Sequence, residues 1–383
     1  MAASDVRWSL WGASVMHHRM GAHRRARLCM VGLLVCGATW AGSAEQALAL
    51  DEEARHWASV RREAPPRRLV LGQHFLTSNE AHLDLFYSDL PKESGGLMLG
   101  VGTDQNLVLA GWARPERVVI VDFDQWVVEM FWLYKLALSK ADGPRRFIEL
   151  WSPESQVNMR RWIRESEPKD ASHRKLLLTV FRIARKQVYH RLKMLERKYA
   201  ASSTPCLLND LSQYRYVAHL FATDRWTAVR ANFKGRRTLQ DIAHTARRHQ
   251  RSFKLVYLSN IEDYLSYTPQ FKANIAALPC SDDAVLLRTS AHRDKVVKMR
   301  FHWAYITQSV SHFKGWLALH RVTHLVHIVG RGKYVINQLY RMTAPPGKRA
   351  TPPVERSGDR KKQRGLKRRR AGHRVAPSPG ATG

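Results

Sequence analysis

Cysteine is scarce in this sequence. Only four occur in 383 residues, and Cys29 and Cys36 lie in an N-terminal apolar stretch. Cys206 and Cys280 then allow one disulfide at most, or two buried thiols. Acidic residues are few as well, 32 against 63 Lys and Arg, for a net charge of +31. That excess favours anionic partners such as nucleic acid, acidic lipid headgroups or other polyanions, or else reflects an arginine-rich coding background. Long hydrophobic runs are missing, and the longest candidate, Leu28–Trp40, is too short and too rich in Gly and Ala to span a membrane comfortably. The eighteen histidines form no HExxH, and no Cys/His spacing suggests zinc, so no metal site is expected. Internal repeats and Ser or Cys nucleophile arrangements are also absent.

What is present begins with a leader. Arg24, Arg25 and Arg27 precede the apolar Leu28–Trp40, and Ala47-Leu48-Ala49 supplies the small residues of a cleavage site. Residues 1–49 therefore read as a signal peptide and the protein as exported, periplasmic or secreted. If the leader is not genuine, the protein is cytoplasmic or anchored by its N-terminal apolar segment; a later start at Met16, Met20 or Met30 is a further alternative, and Met20 would give a signal of ordinary length. Residues 50–68, charged and carrying Pro65-Pro66, read as a linker. From Pro345 onward twelve Lys/Arg face two acids, and residues 344–383 read as a disordered basic tail.

Between these ends, residues 69–343 alternate strands with helices, which implies an α/β fold with a doubly wound, mostly parallel sheet. Gly96–Gly102 reads as a strand ending in a glycine turn, and Thr103–Ala113 as a helix capped by Thr103 or Asp104. "RVVIVDFD" is a continuous apolar strand of the doubly buried kind. Residues of about 150–235 read as a helical insertion. Within it, Leu177, Val180, Phe181, Ala184, Val188, Leu192 and Leu195 give His173–Tyr199 one apolar face. The opposite face is basic and is expected to be solvated. Nucleic-acid binding there lacks stacking aromatics at a recognisable spacing. Phe253–Leu258 and Asp283–Ser290 read as strands, "HFKGWLALHR" as a helix, and "THLVHIVG" alternates like a strand.

The glycine turn carries the functional signal. Gly100 and Gly102 let the backbone turn tightly and approach a ligand closely. The helix that follows presents free N–H groups suited to a carboxylate or phosphate. Asp122 ends the next strand, twenty residues after Gly102, where an acid accepts hydrogen bonds from both ribose hydroxyls, with Asp124 as second choice. The dinucleotide pattern G-x-G-x-x-G is not met, because Gln105 stands at the third glycine position.

With these features the chain resembles the class I S-adenosylmethionine-dependent methyltransferases, "LMLGVGTDQN" being similar to their first motif and "VVIVDFD" to their ribose-binding strand. It is more closely similar to a little-characterised bacterial branch, through Ser78-Asn79-Glu80, Gly100–Asn106, Val121-Asp122, Tyr134-Lys135 and "YLSNIEDYL" at Tyr257–Leu265. The resemblance spans roughly Phe75 to Met342 and implies a Rossmann-like fold of methyltransferase type with S-adenosyl-L-methionine as cofactor. It assigns Gly100, Gly102, Thr103, Asp104, Asn106, Asp122, Asp124 and Asn260 to cofactor binding. Asn260 and Glu262 would stand near the transferred methyl, and Glu262 or Asp263 would act as catalytic base on a hydroxyl or amine. Equally, these acids cap the helix expected after Ser259 or Asn260. The acid usually found before the first-motif glycines is Leu99 here, and no Asn-Pro-Pro-Tyr follows the fourth strand. The substrate is unknown. The alternative function is an exported, non-catalytic Rossmann-like protein that binds a nucleoside-like ligand or a polyanion.

Overall fold

The computed structural model describes residues 52–91, 93–166, 170–291, 303–329, 335–336, 339–343 and 346. The stretch expected to be a leader (1–49) and nearly all of the stretch expected to be a basic tail (344–383) lie outside the described residues. Residues to Arg55 form a separate unit in which 52–55 are helical, and everything below concerns the unit from His56 onward.

Eight strands form one sheet: β1 (Leu97–Gly100), β2 (Arg117–Asp122), β3 (Trp226–Arg230), β4 (Phe253–Tyr257), β5 (Cys280–Ser290), β6 (Ala304–Ser309), β7 (Val335–Ile336) and β8 (Leu339–Met342). Their order is β3-β2-β1-β4-β5-β6-β8-β7. The first five run parallel and β6 turns antiparallel to β5. β8 is parallel to β6 and β7 antiparallel to β8. Chain direction away from β1 reverses between β1 and β4, the switch point where an open α/β sheet offers a crevice at its carboxyl edge.

The strands alternate side chains between two apolar layers. Met98, Val118 and Ile120 point into one core, while Leu97, Leu99, Val119 and Val121 point into the other. That is why β1 and β2 are apolar at nearly every position: both faces are covered. The first layer holds α1 (Gln105–Ala113), α2 (Gln125–Ser139), α3 (Pro144–Glu149), α4 (Gln156–Ser166), α5 (Ala171–Ala201) and α6 (Leu211–Ala222). The second holds α7 (Thr238–Arg248), α8 (Pro269–Ala277), α9 (Val310–Leu317) and the short α10 (Val326–Val329). The sheet is thus wound on both sides, as expected.

Four local expectations are corrected. "THLVHIVG" contains the helical turn α10 rather than a strand, because burial falls on Leu325, Ile328 and Val329, a 3–4 spacing. The helix expected after Ser259 is a single 3₁₀ turn, Ile261–Asp263. The insertion ends before β3, whose five residues pair in parallel with β2. The supposed linker is packed from His56, with Trp57 and Val60 buried in the second core. Cys206 is buried and Cys280 half-buried, and both are free thiols.

Candidate functional site

The turn after β1 closes on itself. Gly102 has φ +88°, which favours glycine. Its neighbours then fold two side-chain amides back onto the loop. Gln105 Oε1 accepts from the Thr103 amide at 3.0 Å, and Gln105 Nε2 donates to the Val101 carbonyl at 3.3 Å. Asn106 Nδ2 donates to the same carbonyl at 2.9 Å and to that of Thr103 at 3.3 Å. A methyl on Gly102 would come within 2.2 Å of Gln105 Nε2, and one on Gly100 within 2.0 Å of Asn106 Oδ1. The glycines therefore make room first for the loop's own amides.

Asp104 does not cap α1 with its side chain. Its buried carboxylate accepts from the Ser78 amide at 2.7 Å and from Arg191 Nε at 2.9 Å. Arg191 also donates to the Glu80 carbonyl at 2.7 Å. The insertion helix α5 thereby ties Ser78–Glu80 to the glycine turn.

Asp122 and Asp124 separate in role. Asp124 caps α2, accepting from the Trp126 amide at 3.0 Å, and its other oxygen meets His74 Nδ1 at 2.7 Å. The His74 ring stacks on Trp126 with centroids 3.8 Å apart. Asp122 has no side-chain partner among the described residues, and accepts from the Asp124 amide at 2.9 Å. Burial pushes its carboxyl up to about 7. Hydrogen bonds from the Asp124, Gly102 and Phe123 amides oppose that rise, and the Asp124 charge adds to it. Gly102 and Asp122 are therefore neighbours at the carboxyl ends of adjacent strands.

Across the switch point, β4 ends in Tyr257 and leads to Ser259 and the half-buried Asn260. Here lies a residue that the sequence flagged only as part of a motif. The Glu80 carboxylate, 2% exposed, accepts from Ser259 Oγ at 2.8 Å, Ser78 Oγ at 2.9 Å, and the hydroxyls of Tyr257 and Thr289. Four hydroxyls donate to the carboxylate, and the nearby Arg191 guanidinium binds the Glu80 backbone carbonyl instead. Both expected catalytic acids are otherwise engaged. Glu262 is fully buried against Arg288 at 2.9 Å and accepts from the Tyr267 hydroxyl. Burial pushes the Glu262 carboxyl up, and Arg288 opposes the rise. Asp263 accepts from Ser290 Oγ at 2.7 Å and the Ala291 amide at 2.8 Å. Neither is placed as a free base.

Arg191 was missed although a signal existed. It stands in the apolar stripe of α5 between Val188 and Leu195, and a cation there needs a buried partner. Nothing local could have revealed that partner, 87 residues away. Two cavities lie elsewhere. One of about 640 Å³ flanks the edge strand β3, lined among others by Gln125, Glu129, Trp132, His173, Trp226 and Arg230. Gln125, the residue after Asp124, lines it, and its Oε1 accepts from Arg230 Nη1 at 2.8 Å. The other, about 580 Å³, lies between α8 and α9. Among the described residues no three His, Cys, Asp or Glu side chains group as a metal site, and no helix is long and apolar enough to cross a membrane.

A search of curated proteins finds no match to the chain. A protein-family model matches residues 75–341, well over half of the sequence, so the chain belongs to the family described as Domain of unknown function (DUF7790).

Proposed function

We propose that this chain is a methyltransferase-type α/β protein that binds S-adenosylmethionine at the carboxyl ends of β1 and β2 and acts on a still unidentified substrate. The observation carrying this reading is the adjacency of the Gly102 amide and the Asp122 carboxylate beside the β1/β4 switch point. Asp122 fits the sugar of such a ligand, because its oxygens meet only backbone donors, the Asp124, Gly102 and Phe123 amides, and a carboxylate's roughly four acceptor sites leave one open for a hydroxyl. Gly100, Gly102, Thr103 and Asn106 shape the turn beside it, and Asn260 lies across the switch point. Asp124 is the poorer candidate, being engaged by His74 and α2. Asp104 acts through Arg191 as a positioning residue. Bound there, S-adenosylmethionine supplies an electrophilic methyl group. The protein's part is to align an incoming nucleophile and exclude water.

The second reading, an exported and non-catalytic binding protein of the same fold, is favoured by one observation. Glu262 and Asp263 are held in ion-pair and hydrogen-bond partnerships and leave no free base after β4.

Thermal unfolding of the full chain tests ligand binding. At about 100 times the dissociation constant, S-adenosylmethionine or S-adenosylhomocysteine should raise the melting temperature by roughly 5 °C or more. Asp122→Ala should abolish the rise. The ionised carboxylate is the hydrogen-bond acceptor, so the rise should be larger at pH 8 than at pH 6, on either side of a carboxyl titrating at about 7. No shift with either ligand at either pH overturns the proposal.

A further inference from the structure

The outer face of α5 is unlike an ordinary solvated helix face. Its apolar stripe, Leu177 to Leu195, is already buried in the first core. Across 31 residues the helix carries one acid, Glu196, which pairs with Lys193 at 2.7 Å. Two further cations, Arg191 and Lys198, turn inward to Asp104 and Asp84. Lys175, Arg182, Arg185, Lys186 and Arg197 remain without an ion pair among the described residues. Four of these are exposed and Arg185 is half-buried.

At 100° per residue, these five fall within about a third of the circumference, opposite the buried stripe. From Lys175 to Arg197 the row is about 33 Å long at 1.5 Å per residue, close to ten base pairs of duplex. Arg182 repels Arg185 and Lys186 at i+3 and i+4, where natural helices usually place opposite charges. A row of like charges with its counter-charges missing fits a linear polyanion.

We propose that this face of α5 docks the phosphodiester backbone of a nucleic-acid duplex, without reading its sequence. Single-stranded nucleic acid fits less well, because the one aromatic in this sector of the helix, Tyr189, is partly packed against the first core and offers no series of stacking faces. Insertion into a bilayer fits less well too, since a surface-lying helix must bury its apolar face in lipid and that of α5 is inside the protein. Only Ile183 and Met194, each 40% exposed, flank the row with apolar surface.

The experiment is fluorescence anisotropy of a labelled 20-base-pair duplex with the full chain, repeated across salt concentrations. The variant is Arg182→Gln/Lys186→Gln/Arg197→Gln. The control, Arg215→Gln/Lys234→Gln/Arg236→Gln, removes the same charge from exposed sites on α6 and the β3–α7 loop. The α5 variant should lose at least tenfold in affinity near 0.1 M salt and reduce the log–log salt slope by about 3, while the control changes affinity less than about twofold. Equal losses in both variants would mean that only net charge matters, and would overturn the proposal. Binding to phosphatidylserine vesicles that falls in the α5 variant while duplex binding persists would overturn it in favour of a lipid surface. Unchanged melting temperatures confirm that either loss is local.

Discussion

At the scale of single residues, Asp122 combines two demands that conflict. A ribose-binding acid should be ionised, yet burial holds this carboxyl at about 7, against an ordinary value of 3.8. The folded state therefore keeps a proton between about pH 4 and 7 that the unfolded chain has released. The stability this group contributes is fully present below pH 3.8 and is lost as pH rises through about 7. Asp122→Asn removes the titration. Its stability relative to the native chain should grow between pH 5 and pH 7 by on the order of 3 kcal/mol, at about 1.4 kcal/mol per pH unit, and level off above. Urea midpoints at pH 5, 7 and 8.5 would read this, and a gap constant with pH would show that Asp122 titrates normally. The position of Asp122 was legible in the sequence, because a strand, a glycine turn, a helix and a second strand set a fixed separation. The fates of Asp124 and Glu262 were not. Their partners, His74 and Arg288, are 50 and 26 residues away, and no local pattern encodes such pairings.

At the scale of elements, the contact between α5 and the glycine turn decides how rigid the candidate site is. Arg191 and Asp104 are 6% and 0% exposed at the side chain, so each depends on the other for its charge. Arg191→Ala would leave a bare carboxylate beneath α1 and free the Glu80 carbonyl as well. The expected cost is roughly 3–5 kcal/mol, and the double variant Asp104→Asn/Arg191→Met should recover much of it because no unpaired charge remains. Chemical denaturation of the single and double variants checks this. An additive double variant would mean that the pair is not coupled. The elements themselves were largely readable. β1 and β2 are uninterrupted apolar runs, and the apolar face of α5 repeats every three to four residues. β3 was not readable, because "WTAVR" is an edge strand in which only Val229 is fully buried. α10 was misread because four alternating residues suit a strand as well as a helical turn.

At the scale of the whole molecule, the second core has a cover that precedes the matched family region. The family match begins at residue 75, yet Trp57 is 1% exposed within the second core and stacks beneath the Arg117 guanidinium at 5.5 Å. The segment behind it is fastened to two elements of the sheet layer. Arg61 forms two 2.7 Å hydrogen bonds to Asp241 on α7, the Glu63 amide donates to the Arg230 carbonyl of β3 at 3.0 Å, and Glu63 Oε1 accepts from the Arg237 amide at 2.8 Å. The Thr238 hydroxyl closes the arrangement onto the Arg61 carbonyl at 2.7 Å. In sequence the stretch is charged and proline-bearing, and one tryptophan in it gives no periodicity from which burial could be inferred. Trp57→Ala alone should cost roughly 3–5 kcal/mol, the usual loss for a large aromatic removed from a core. Deleting the whole segment removes that packing and also opens the hydrogen bonds at the end of β3, next to Asp122. A fragment from His56 to Met342 should therefore unfold in one cooperative calorimetric transition, and a fragment from Phe75 to Met342 should melt at least 10 °C lower or show no transition. Equal melting temperatures for the two fragments would show that residues 56–74 lie on a core that is complete without them.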